Sequence, residues 1–173
     1  MSKPYVIGID MGGTNTVFGI VDARGVVVAS NSIKTQKHAN INDYIDELYT
    51  EITRLVEDNN VVDQIYGIGV GAPNANYFTG VIEAGVNLPW PTPIPLAQLL
   101  MDKFNIPVAI TNDANAAAIG EMTYGAARGL KDFIMLTLGT GVGSGIVING
   151  QLVYGHDGFA GELGHMIIKR NNG

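Results

Sequence analysis

The sequence has no cysteine in 173 residues. That excludes a disulfide framework, and it excludes a thiolate metal site made by this chain alone. Charge is also scarce. Charged residues make up 15% of the chain, against about 25% in a typical soluble domain. With 46% hydrophobic residues, so little charge rules out a disordered chain. Aromatic residues amount to 8%, too few for an aromatic-lined nucleic-acid groove. The net charge of −6 argues against a broad nucleic-acid surface, so no nucleic-acid partner is expected. No apolar run approaches the roughly 18 residues of a membrane helix, so no membrane partner is expected. Met1-Ser2-Lys3-Pro4 lacks the apolar core of a signal peptide, and a cytoplasmic location is expected.

Glycine is what the chain has in excess, at 23 residues, about twice the typical share of about 7%. The apolar runs Val6–Ile9, Val17–Val21 and Val26–Ala29 are broken by Gly-rich turns and read as a three-strand meander. From Ile41 the period changes. Ile45, Leu48, Ile52, Leu55 and Val56 follow at helical spacing, with Asn40 or Asn42 as cap. Ile65–Val70 and Val108–Thr111 read as buried strands. Residues 74–95 read as loop with a short hairpin around Gly80. Pro95 suits the first turn of a helix carrying Leu96, Leu99, Leu100 and Phe104. An alanine-rich helix is expected from Asn112-Asp113 to about Tyr124. Ile134–Leu138, Gly145–Ile148 and Leu152–Tyr154 are strands again, with Asn149-Gly150 as a hairpin signal.

By length the chain suits one ordinary domain. An internal echo contradicts this. Ile7 to Thr14 overlays Ile134 to Gly141: in both, an apolar strand runs into a Gly/Thr turn and a second strand follows. A repeat offset of about 127 residues suggests a duplicated domain rather than a solenoid. The expected division is residues 1–111 and an incomplete second domain at 112–173.

Glycine allows close approach of a ligand to the backbone, and successive N–H groups in such a turn bind anions. Asp10-Met11-Gly12-Gly13-Thr14-Asn15 and Gly139-Thr140-Gly141-Val142-Gly143 are therefore both phosphate-loop candidates. Neither is a Walker A loop or the dinucleotide fingerprint, and both lead into a strand rather than a helix. Either turn alone reads as a tight hairpin. As a related pair, one of them preceded by Asp10, they read as two phosphate cradles holding one nucleotide. Asp10 at a strand end is placed to hold Mg²⁺ through water. Asp113 stands at a strand–helix junction, where it reads as a helix cap or as a base in phosphoryl transfer. Glu162 and His165 share a face if they lie on a helical turn. Trp90 reads as a packing residue. His38 and His156 carry no readable role.

Taken together these residues resemble the ROK family of repressors and sugar kinases, within the actin and hexokinase-like group. The resemblance is carried by Gly8-Ile9-Asp10-Met11-Gly12-Gly13-Thr14, Gly69-Val70-Gly71-Ala72-Pro73, Asn87-Leu88-Pro89-Trp90, Asn112-Asp113-Ala114-Asn115-Ala116-Ala117, Leu138 to Gly145, and Gly161-Glu162-Leu163-Gly164-His165. It implies an α/β fold: an actin-like, ribonuclease H-like ATPase domain with a mixed sheet and flanking helices, plus the start of a second such domain. It implies transfer of phosphate from Mg-ATP to a hexose, glucose first, giving the 6-phosphate. Asp113 would be the base. Asp10 would sit near Mg²⁺. Gly12, Gly13, Thr14, Gly139, Thr140 and Gly141 would contact ATP, and Asn87, Asn112, Asp113, Glu162 and His165 would hold the sugar. An oligomer of identical chains is expected of the intact protein.

In the family, His165 would also ligate a structural zinc with three cysteines that this chain does not contain. Zinc is therefore expected only in the intact protein, and this chain is expected to be inactive alone. Three rivals stand beside a glucokinase: a kinase for N-acetylmannosamine, fructose or another hexose, a ROK repressor or sugar sensor, and a non-sugar ATPase of the actin type.

Overall fold

The computed structural model describes residues 4–85, 87–139 and 141–167. The chain divides into two compact units, Met1–Asp113 and Ala114–Gly173.

The first unit is built on a five-stranded sheet of β1 (Tyr5–Met11), β2 (Asn15–Asp22), β3 (Val27–Lys34), β4 (Ile65–Gly71) and β7 (Val108–Thr111), in the order β3-β2-β1-β4-β7. β1, β2 and β3 pair antiparallel, while β1-β4 and β4-β7 pair parallel, so the sheet is mixed. Ile7, Ile9 and Met11 alternate along β1 and are all buried, as period two requires when one face is covered. β3 runs five residues beyond the expected end at Ala29. Its Ser30, Asn31 and Ser32 lie on the sheet's edge, where polar side chains meet water and no apolar pattern is required.

Helix α1 (Ile41–Asp58) is capped by Asn40, whose side chain accepts the Asn42 N–H. It buries Tyr44, Ile45, Leu48 and Ile52 against the sheet. Truncating Leu48 or Ile52 to alanine would cost about 2–5 kcal/mol. Helix α2 (Leu96–Phe104) starts one residue after the expected Pro95, which stands outside as its cap. It ends at Asn105 in the left-handed conformation (φ 53°), a C-terminal stop suited to asparagine. A short hairpin, β5 (Ala75–Asn76) with β6 (Val81–Ile82), turns through Gly80 at φ 71°.

In the second unit, β8 (Phe133–Leu138), β9 (Val142–Ile148) and β10 (Gln151–Leu152) form an antiparallel sheet in the order β10-β9-β8. Helix α3 (Asp113–Thr123) enters this unit from its second residue. β9 begins three residues before the expected Gly145, because Gly143 and Gly145 are packing glycines. A Cβ on Gly143 would lie 3.0 Å from the Ala114 Cβ, and one on Gly145 2.6 Å from the Ala118 Cβ. The alanine face of α3 thus packs directly on the backbone of β9. Among the described residues no helix is long and apolar enough to cross a membrane.

Candidate functional site

The parallel strands β1, β4 and β7 end side by side. In an open α/β sheet, ligands bind beyond such carboxyl ends. Asp10 pairs with Gly71, and Gly71 with Thr111, so the three stand in one row across the sheet. Gly71 contributes no side chain between the other two. Asp113 follows two residues after β7 and opens α3. It lies inside the first turn rather than at the cap, where the positive end of the helix dipole favours a carboxylate. Partial burial, and then the charge of Asp113, push the Asp10 carboxyl above its ordinary value. A carboxylate repelled in this way gains from a cation.

The hairpin between β1 and β2 is closed by the Gly12 N–H donating to the Asn15 carbonyl at 3.0 Å. The Thr35 hydroxyl donates to the Gly12 carbonyl at 2.7 Å, and the Thr35 N–H to the Thr14 carbonyl at 3.0 Å. Among the described residues, the N–H groups of Gly13 and Thr14 have no protein acceptor. Two adjacent free N–H groups in a turn make an anion-binding concavity. The Lys34 ammonium adds positive charge beside it, donating to Asn15 Oδ1 at 2.8 Å. Asn87, in the left-handed conformation at φ 66°, abuts the tip of the hairpin. The first unit therefore brings Gly12, Gly13, Thr14 and Asn87 together, and places Asp10 within electrostatic reach of Asp113. Asn112 precedes Asp113 directly.

In the second unit, the turn between β8 and β9 is closed by the Gly139 N–H donating to the Gly141 carbonyl at 3.0 Å. Side chains added at Gly139 or Gly141 would meet open space. Packing does not require glycine at these two positions, in contrast to Gly143 and Gly145. Thr140 lies outside the described residues. Glu162 precedes a short 3-10 turn, Leu163–His165. His165 Nε2 is 3.9 Å from Glu162 Oε2, and both side chains are open to solvent. Gly161 and Gly164 let this turn lie directly against the backbone of β9, where a Cβ on either would collide with the carbonyl of Ser144 or Val142.

Magnesium fits the first unit. Mg²⁺ takes one or two carboxylates, substrate phosphates and several waters. Asp10 is a partly buried carboxylate repelled by Asp113, and among the described residues the buried Thr111 hydroxyl in the same row has no hydrogen-bond partner. Zinc does not fit this chain by itself. The site that the resemblance implies would need three thiolates beside His165, and the sequence has no cysteine. Among the described residues, no three histidines or carboxylates cluster to replace them.

Trp90 is a packing residue, 4% exposed, with its ring centroid 4.6 Å from that of Tyr44. Its indole N–H donates to the His38 carbonyl at 3.0 Å. The His38 ring pairs with Glu47. Sequence reasoning passes over Thr16, Thr35 and Tyr44, which brace the hairpin from below. Their only sequence signal is a hydroxyl at positions that the strand and helix patterns place inside.

The ROK family profile matches residues 6–173. The chain is similar to a glucokinase of Halalkalibacterium halodurans, at 38% identity over 97% of this chain and 51% of the relative. It is similar to a xylose repressor of Bacillus spizizenii, at 35% identity over 96% of this chain and 43% of the relative. Among solved structures it is similar to a ROK family glucokinase from Streptomyces griseus in complex with glucose and AMPPNP. That match has a TM-score of 0.82 and 31% identity, over 95% of this chain and 51% of the other. The chain spans about half the length of the curated relatives it matches. With its mixed sheet and flanking helices it has the actin-like ATPase fold of those kinases, and it belongs to the ROK family.

Proposed function

We propose that this chain supplies the amino-terminal half of a kinase that transfers the γ-phosphoryl group of ATP to a hexose, with glucose as first candidate. The observation that carries this reading is the pair of N–H groups at Gly13 and Thr14 that have no acceptor among the described residues, in a hairpin that abuts Asn87 and follows Asp10, whose carboxyl Asp113 helps to raise. An anion cradle beside a carboxylate pair suits a nucleotide phosphate with its metal ion and a hydroxyl to be activated. The likeness to a glucokinase structure holding glucose and AMPPNP supports it.

In this reading Gly13 and Thr14 bind phosphate oxygens through their N–H groups, and Gly12 closes the turn. Gly139, Thr140 and Gly141 supply nucleotide contacts of their own. Asp10 would hold Mg²⁺, which would supply charge neutralisation for the phosphates. Asn87, Asn112, Glu162 and His165 hold the sugar hydroxyls. Asp113 accepts the proton of the C6 hydroxyl as its oxygen bonds to the γ-phosphorus. The bond from that phosphorus to the β–γ bridging oxygen breaks, and ADP leaves. With a loose transition state the base mainly orients the nucleophile.

A coupled assay tests this, with Mg-ATP and glucose, mannose, fructose or N-acetylated hexoses, on the chain at the full length its relatives have. ADP formation that depends on one of these sugars is expected. No turnover on any of them would refute the kinase reading. The similarity to a xylose repressor favours one alternative, a sugar sensor without catalysis. Sugar binding by calorimetry with no ADP release would select it.

A further inference from the structure

One fully buried side chain reaches both the phosphate hairpin and the loop that carries Asn87. Tyr44 of α1 is 0% exposed. Its hydroxyl lies 2.7 Å from Thr16 Oγ1, which lies 2.9 Å from Thr35 Oγ1. Thr35 donates to the Gly12 carbonyl. Each hydroxyl has one proton to give. The Thr35 proton is spent on Gly12, so Thr35 accepts from Thr16, and Thr16 accepts from Tyr44. The chain runs one way, from Tyr44 through Thr16 and Thr35 to Gly12. Thr16 and Thr35 are also 0% exposed, so water does not compete. Burial, partly offset by the Thr16 bond, pushes the Tyr44 hydroxyl up to about 12.

The consequence follows from peptide planarity. In a trans peptide the Gly12 C=O and the Gly13 N–H point in opposite directions. Holding the carbonyl inward aims the N–H outward. The ring of Tyr44 has a separate contact, against Trp90. Trp90 is anchored in turn on the His38 carbonyl, just after the short Thr35–Lys37 turn.

We propose that Tyr44 is a positioning residue with two separable arms. Its hydroxyl, through Thr16 and Thr35, aims the Gly13 N–H. Its ring, through Trp90, seats the loop of Asn87. The identity of what the N–H meets rests on the kinase reading, while the aim itself does not.

The test uses Tyr44→Phe, which keeps the ring and deletes the donor, together with Thr16→Val and Thr16→Ser. Backbone order parameters are measured on the ligand-free, ¹⁵N-labelled chain. Gly13 is expected to fall from the rigid range near about 0.85 towards about 0.6 in Tyr44→Phe and Thr16→Val. Thr16→Ser restores the hydroxyl and is expected to match the wild type. By calorimetry at the full length of the relatives, Tyr44→Phe is expected to weaken ATP binding about tenfold, the scale of one lost hydrogen bond, and glucose binding by less than about twofold. An unchanged Gly13 order parameter in Tyr44→Phe would overturn the proposal. So would equal effects of Thr16→Ser and Thr16→Val, or equal weakening of ATP and glucose. If the wild type at the full length of its relatives binds neither ligand, the kinase reading fails and the Gly13 order parameters alone decide. If Tyr44→Phe does not fold, the Thr16 pair decides.

Discussion

Gly13 and Asn87 sit so close that a side chain on Gly13 fits only if Asn87 gives way. A Cβ on Gly13 would lie 3.0 Å from the Asn87 Cβ and 3.2 Å from its carbonyl oxygen. A larger residue at Gly13 therefore displaces the loop of Asn87. Gly13→Ala should push them apart at a cost of about 1–3 kcal/mol in overpacking. Thermal unfolding should show the loss, and calorimetry should show weaker binding of both ATP and glucose. Wild-type affinity for both would mean that the two segments are not coupled.

Two glycines of the second unit should respond in opposite ways. Gly145→Ala would drive a Cβ to 2.6 Å from that of Ala118, costing about 1–3 kcal/mol. At this chain length that lowers the melting temperature by roughly 2–12 °C. Gly141→Ala meets open space, so the melting temperature should stay near the wild type while ATP binding weakens. Unchanged ATP affinity in Gly141→Ala would remove this turn from the nucleotide site.

Asp10 should weaken the fold that it serves. Its folded-state carboxyl is raised above the ordinary 3.8. The stability it contributes is complete below that ordinary value and is lost as pH rises through the raised one. Asp10→Asn should therefore be more stable than the wild type at neutral pH, with a gain that shrinks as pH falls towards 3.8. The same variant should lose Mg-ATP turnover, a stability–activity trade-off. Melting curves across pH check the first part. A variant less stable than wild type at neutral pH would contradict the charge assignment.

The central architecture was legible because Val6–Ile9 and Ile65–Val70 stand out as apolar runs and Ile45, Leu48 and Ile52 repeat at helical spacing. Asp10 and Met11 read as turn, yet β1 continues through them, with Met11 buried beside Ile7 and Ile9. The edge strand β3 was underestimated because Ser30–Ser32 face water and carry no apolar signal. The glycines of residues 139–145 looked alike in sequence. The structure separates Gly143 and Gly145, which pack under α3, from Gly139 and Gly141, which do not. The relay from Tyr44 to Gly12 was illegible, because it joins residues 19 and 28 positions apart that only the fold brings together.

Zinc provides a simple check on the ligand arithmetic. His165 is 87% exposed and the chain has no thiolate to complete a site around it. Elemental analysis of the purified chain should find no stoichiometric zinc. One equivalent retained against a chelator would contradict the arithmetic.

The most direct measurement of the central claim is kcat for Asp113→Asn against the wild type, with Mg-ATP and the preferred sugar, at the full length of the relatives. Removal of a general base should lower kcat by about 10²–10⁴-fold, with sugar binding retained by calorimetry. A kcat near that of the wild type would contradict the assignment of Asp113 as the base.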